Sequence, residues 1–132
     1  MIKSFGHIGI VVKDIDATLS ALAKALNIQV PAAKDVPEKK TKVALVEVGG
    51  VGIELIQDYS EDGAFAKIVR ERGDTIHHFC LLSDDIQADI DTLRDRGVEM
   101  QDLQPRLGLR GKPIAFTKPS ALNGIPIEIS TP

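Results

Sequence analysis

The feature that most restricts the fold of this chain is an internal repeat. Phe5–Asp16, FGHIGIVVKDID, aligns with Ile76–Gln87, IHHFCLLSDDIQ, so that His7 falls on His78 and Asp14-Ile15 falls on Asp85-Ile86, at an offset of 71 residues. Val51–Ile56, VGIELI, aligns in turn with Ile125–Ser130, IPIEIS, which sets Glu54 on Glu128 at an offset of 74 residues. Each half therefore reads as a strand with a His, a helix, a strand, and a strand with a Glu. A repeat of this length constrains architecture before any local propensity is weighed. Two copies related by a rough twofold axis would bring two imidazoles and two carboxylates to one place.

Local patterning agrees. Phe5–Val12 alternates as a strand, with His7, Gly9 and Val11 on one face and Ile8, Ile10 and Val12 on the other. Asp14 is a natural N-cap, and Ile15, Leu19, Leu22 and Leu26 recur at helical spacing until Asn27. Ile28–Lys40 reads as a connector. Thr41–Val48 and Val51–Gln57 read as strands joined at Gly49-Gly50, and Ala64–Arg72 as a short bridging helix ending at Gly73. Thr75–Leu82 is the second His strand, and Asp85 caps a helix carrying Ile86, Ile90 and Leu93 as far as Gly97. Gln104–Lys112 is a basic, glycine-containing loop, followed by strands at Pro113–Thr117 and Ile125–Ser130. The expected organisation is one domain over residues 1–132, made of modules at about 4–57 and 75–131 with a helical linker at 58–74.

Composition excludes several classes of function. A net charge of −3 offers no basic surface for nucleic acid, and five Phe and Tyr residues with no Trp offer little for base stacking. The apolar run at the N-terminus is short and broken by glycines, which suits neither a signal peptide nor a membrane span. One cysteine allows no internal disulfide and fits a reducing compartment, so the expected location is the cytoplasm.

Each strand with a candidate ligand has one bulky apolar face and one face on which the ligand sits among small residues. Gly9 accompanies His7, Cys80 accompanies His78, and Gly52 accompanies Glu54. A cleft lined by a curved sheet needs that arrangement. One His in a strand is by itself a packed core or edge residue, and one Glu by itself a solvent-face residue. Their recurrence at matched places points instead to a shared site. Two imidazoles and two carboxylates suit a divalent first-row metal with positions left open for substrate. Alternation points His77 away from His78, which marks it as structural or supporting, and Cys80 reads as a small buried residue.

The runs HIGIVVKDI (His7–Ile15), VPEKKTKVALVEVGGVGIELI (Val36–Ile56), AKIVRERGDTIHHFCL (Ala66–Leu81), PRLGLRGKPIAF (Pro105–Phe116) and GIPIEI (Gly124–Ile129) resemble the vicinal-oxygen-chelate superfamily. That superfamily includes glyoxalase I, bleomycin-resistance proteins and extradiol dioxygenases. Within it the chain is most similar to the methylmalonyl-CoA epimerases. The resemblance implies an α+β fold of two βαβββ-type modules in pseudo-twofold repeat, forming a curved mixed sheet with a cleft. It implies a divalent ion held by His7, Glu54, His78 and Glu128, with cobalt first and zinc, nickel, manganese or magnesium as the other fits. It implies a homodimer and an acyl-CoA thioester substrate, with Arg110 and Lys112 against the coenzyme A phosphates.

The activity so implied is inversion of the α-carbon of methylmalonyl-CoA, or a similar acyl-CoA, through a metal-stabilised enolate. Glu128 is then one base, and Glu54 or Glu47 the other. Some epimerases carry an extra, non-ligand Glu on the second strand of the first module. Val43 occupies that place here, and Glu47 shares its face four residues on. The rival readings are a glyoxalase I-like lyase acting on a thiol hemithioacetal and a metal-free small-molecule-binding protein.

Overall fold

The structure is a computed structural model that describes all 132 residues. Eight strands and three helices follow in the order β1 (Ile2–Val11), α1 (Ile15–Leu26), β2 (Lys34–Val36), β3 (Thr41–Val48), β4 (Val51–Asp58), α2 (Ala64–Arg72), β5 (Thr75–Ser83), α3 (Ile86–Asp95), β6 (Arg106–Leu107), β7 (Pro113–Phe116) and β8 (Ile127–Ser130). The repeat is present as two βαβββ modules, β1-α1-β2-β3-β4 and β5-α3-β6-β7-β8, with α2 between them in sequence. The compact units divide slightly differently. One is Gly9–Ile76; the other joins Met1–Ile8 to His77–Pro132.

In the Gly9–Ile76 unit, β2, β3 and β4 pair antiparallel in that order. Their apolar face closes on α1: Val12, Ile15, Leu19, Ala44, Val46 and Leu55 form a buried core with Ile10, Leu22 and Ile53 at its edge. The helix starts where Asp14 Oδ1 accepts a hydrogen bond from the Ala17 amide at 3.0 Å. It stops where Asn27 turns left-handed at φ 52°, a conformation that Asn tolerates better than most residues. The opposite face of β4 carries Gly52, Glu54 and Ile56, all buried.

In the other unit, which holds β1 as far as Ile8, the strand order is β1-β5-β8-β7-β6. β5 and β8 run parallel, while β8 with β7 and β7 with β6 run antiparallel, so the sheet is mixed. Its core lies under α3, where Ile86, Ile90, Met100, Ala115 and Ile129 pack together with Leu93 and Val98. Asp85 repeats the cap of the first module, its Oδ1 accepting from the Ala88 amide at 3.0 Å. Asp85→Ala therefore removes the partner of an otherwise unsatisfied helix amide. We expect it to destabilise the protein by about 1 kcal/mol in a thermal or denaturant melt, against almost nothing for Asp91→Ala on the exposed side of the same helix.

Two strands were not visible as periodic runs. β2 lies within the predicted connector and β6 within the predicted basic loop. With three and two residues they carry no alternation to read, and they exist because an edge of β3 or β7 is there to pair with. The last strand begins at Ile127 rather than Ile125. Gly124 sits at φ 120°, and Ile125 remains outside the ladder and about half exposed. No helix is long and apolar enough to cross a membrane.

Candidate metal centre

β1 and β5 bring His7 and His78 together as the repeat predicts. Their Nε2 atoms lie 3.4 Å apart, with the rings edge to face at 78°. β8 supplies Glu128 to the same point. Its register explains why: Glu128 stands opposite Cys80 on β5 and Phe116 on β7, so its side chain emerges on the face that also carries His78. The two carboxylate oxygens divide between the two rings. Oε2 lies 3.2 Å from His78 Nε2 and Oε1 3.8 Å from His7 Nε2. All three residues are buried, at 2% exposure for His7, 1% for His78 and 5% for Glu128. Cys80 is fully buried beside them, where its small side chain leaves room.

Such a cluster is costly unless something compensates it. A buried carboxylate loses hydration worth several kcal/mol, and opposed imidazole nitrogens need a proton or a cation between them. His7, His78 and Glu128 each present a ligand atom, and these atoms lie within 4.8 Å of one another. Two neutral imidazoles and a carboxylate are the donors that first-row divalent ions take, so this donor set fits a metal.

Glu54 is buried on β4, at 5% exposure, opposite Leu45 of β3. Glu47 stands opposite Gly52, one pleat from Glu54 on the same face, but is exposed. Lys112 is exposed. Arg110 is half-buried and turns inward, its Nη2 lying 3.3 Å from His7 Nδ1. A guanidinium only donates, so His7 Nδ1 is the acceptor in this contact. Ligation through Nε2 requires that contact to be given up, because the imidazole proton must then sit on Nδ1.

His77 meets His78 by a contact that the strand period does not foresee. Alternation sends its Cα–Cβ bond away from His78, yet its ring comes round so that the two Nδ1 atoms stand 2.9 Å apart. Burial first, and His78 second, lower its pKa from the usual 6.5 to about 4, so the ring is neutral at pH 7. Phe116 joins this site without any mark in the sequence pattern. Its ring stands edge-on to His78 at 5.1 Å and to His77 at 6.4 Å, and Arg106 lies over it at 5.8 Å while pairing with Asp102. The IAF strand was legible, but the pairing of Phe116 with Glu128 is a matter of register between distant segments.

Comparison with known proteins points to one superfamily. Residues 6–116 match the family model of the glyoxalase/bleomycin resistance protein/dioxygenase superfamily. The uncharacterised protein YqjC of Bacillus subtilis is 32% identical over 126 residues, covering 96% of this chain and 90% of its own. The ethylmalonyl-CoA/methylmalonyl-CoA epimerase of Cereibacter sphaeroides is 29% identical over 131 residues, covering 98% of each. Among solved structures, a methylmalonyl-CoA epimerase in complex with methylmalonyl-CoA and NH4+ superposes with a TM-score of 0.89 at 28% identity, covering 99% of this chain and 95% of that one. With its two βαβββ modules, mixed strand pairing and matched His strands, the chain belongs to the glyoxalase/bleomycin resistance protein/dioxygenase superfamily and has its vicinal-oxygen-chelate fold.

Proposed function

We propose that the protein is a metal-dependent epimerase that inverts the α-carbon of methylmalonyl-CoA or a closely similar acyl-CoA. The observation that carries this reading is the buried Glu128 carboxylate, whose two oxygens face the Nε2 atoms of His7 and His78. The relatives named for methylmalonyl-CoA support the choice of substrate. His7, His78 and Glu128 hold the ion, and Glu54, the repeat partner of Glu128, completes the set. When bound, a divalent cation supplies positive charge against the oxygen on which enolate charge develops.

The protein's own part is to move the proton. Epimerisation removes a proton from one face of the α-carbon and returns one to the other, so it needs a base on each side. Glu128 is one, and its burial keeps water from competing for the carbanion. Glu54 is the other, with exposed Glu47 as the alternative. Arg110, once it leaves His7, and Lys112 hold the anionic coenzyme A portion.

The test is deuterium incorporation at the α-carbon of methylmalonyl-CoA in D2O, with cobalt-loaded and chelator-stripped protein. Exchange with racemisation in the loaded sample alone is the expected result. Bound cobalt without exchange would reject this substrate, and thiol hemithioacetals would be assayed next. There the lyase reading predicts turnover that is insensitive to neutralising Arg110 and Lys112 together. The epimerase reading predicts that the same double change raises KM for the acyl-CoA at least tenfold.

A further inference from the structure

We propose that His77 is a positioning residue: its Nδ1 accepts the proton carried on His78 Nδ1 and so holds His78 in the tautomer that offers the Nε2 lone pair to a cation. This deepens the metal reading of the centre and rests on it. His78 Nε2 faces Glu128 Oε2 at 3.2 Å and His7 Nε2 at 3.4 Å, so Nε2 is the atom aimed into the site. The other ring nitrogen, Nδ1, stands 2.9 Å from His77 Nδ1. Two nitrogens at that distance share one proton, since two lone pairs repel and two N–H groups collide. A neutral imidazole has one N–H. If Nε2 is to ligate, the proton sits on Nδ1 and must have an acceptor there. His77 Nδ1 is that acceptor, and His77 then carries its own proton on Nε2.

Histidine ligands usually donate this second N–H to a carboxylate, a backbone carbonyl or a water. An imidazole in that role orients the ligand without adding negative charge to a centre that already buries Glu128. Adjacent residues on a strand do not meet by default, and the contact depends on packing. The two rings stand at 81° with centroids 5.1 Å apart, and Phe116 lies edge-on to both. His7 has a different partner at the equivalent nitrogen, the donor-only Arg110. The repeat has thus diverged in what supports its two histidines, and Gly6 occupies the place of His77 in the first module.

Three measurements test this. Histidine-15N NMR of the zinc-loaded wild type is expected to show the His78 proton on Nδ1; a zinc-bound His78 without it overturns the proposal with no variant involved. In cobalt titrations followed by the visible ligand-field spectrum, His77→Phe is expected to weaken binding by about 10- to 100-fold. His77→Asn, whose Oδ1 reaches where Nδ1 stands, is expected to restore most of the affinity and the wild-type spectrum. A Phe variant that binds as tightly as wild type, or an Asn variant no better than Phe, shows that the contact is packing only. A wild type that takes up no divalent ion removes the metal reading, and this proposal with it.

Discussion

Glu128→Gln is expected to abolish epimerisation, lowering the rate by at least ~10³-fold, while acyl-CoA binding changes little. The carboxamide is nearly isosteric, so the fit of Glu128 beside Cys80 and Phe116 survives. It has no basicity, and a positioned general base contributes about 10²–10⁴-fold by itself. Weakened ligation adds to the loss, so metal content must be measured on the same sample, at cobalt concentrations that restore occupancy. The informative readout is stereochemical. With two bases, each serves one face of the α-carbon, and removing one leaves the other able to exchange the proton of a single epimer without inversion. Glu128→Gln should wash deuterium into one epimer and Glu54→Gln into the other, and neither should racemise. Full activity in Glu128→Gln would show that this carboxylate is not a base. If Glu54→Gln still racemised while Glu47→Gln did not, the second base would be Glu47.

Much of the fold, and the meeting of His7 with His78 and Glu128, is legible in the chain because a repeat turns weak signals into strong ones. His7 alone reads as a core histidine; His7 and His78 ahead of matched Asp caps point to one shared place, and there the two rings meet. The helices were readable because Asp14 and Asp85 start them and the aliphatic spacing of Ile15, Leu19, Ile86 and Ile90 fills the two cores. Edge pairing was not readable, since Lys34–Val36 and Arg106–Leu107 are strands only by virtue of their neighbours. Nor was anything set by side-chain rotamer. The strand period correctly opposes His77 to His78 at the backbone, and χ angles with Phe116 packing reverse its consequence at the ring nitrogens. Arg110 illustrates the same limit. Its loop was recognisable as basic, but its approach to His7 depends on a turn in which the Gly108 amide donates to the Lys112 carbonyl and Gly111 takes φ 76°.

Removing the metal should cost the fold a measurable part of its stability. Chelator-stripped protein is expected to melt about 10 °C below protein with cobalt at a hundred times its dissociation constant. A ligand that binds only the native state adds RT ln(1 + [L]/Kd), which is about 2.7 kcal/mol at that ratio. For a chain of this size each kcal/mol moves Tm by roughly 3–5 °C. The physical source is local. Glu128 lies buried between two imidazoles, and a cation there satisfies lone pairs that would otherwise depend on protons shared among three groups. The response should therefore vanish in His7→Ala and His78→Ala. It should shrink in Glu54→Gln if that carboxylate is the fourth ligand, and persist in full if it is not. Residual affinity of the unfolded chain's histidines for the ion would reduce the shift without changing its sign. A Tm unmoved by cobalt, zinc, nickel or manganese would mean that the cluster is held together by protons alone. The chain would then be a superfamily member that binds without a metal, and the Glu128 carboxylate would need another explanation for its burial.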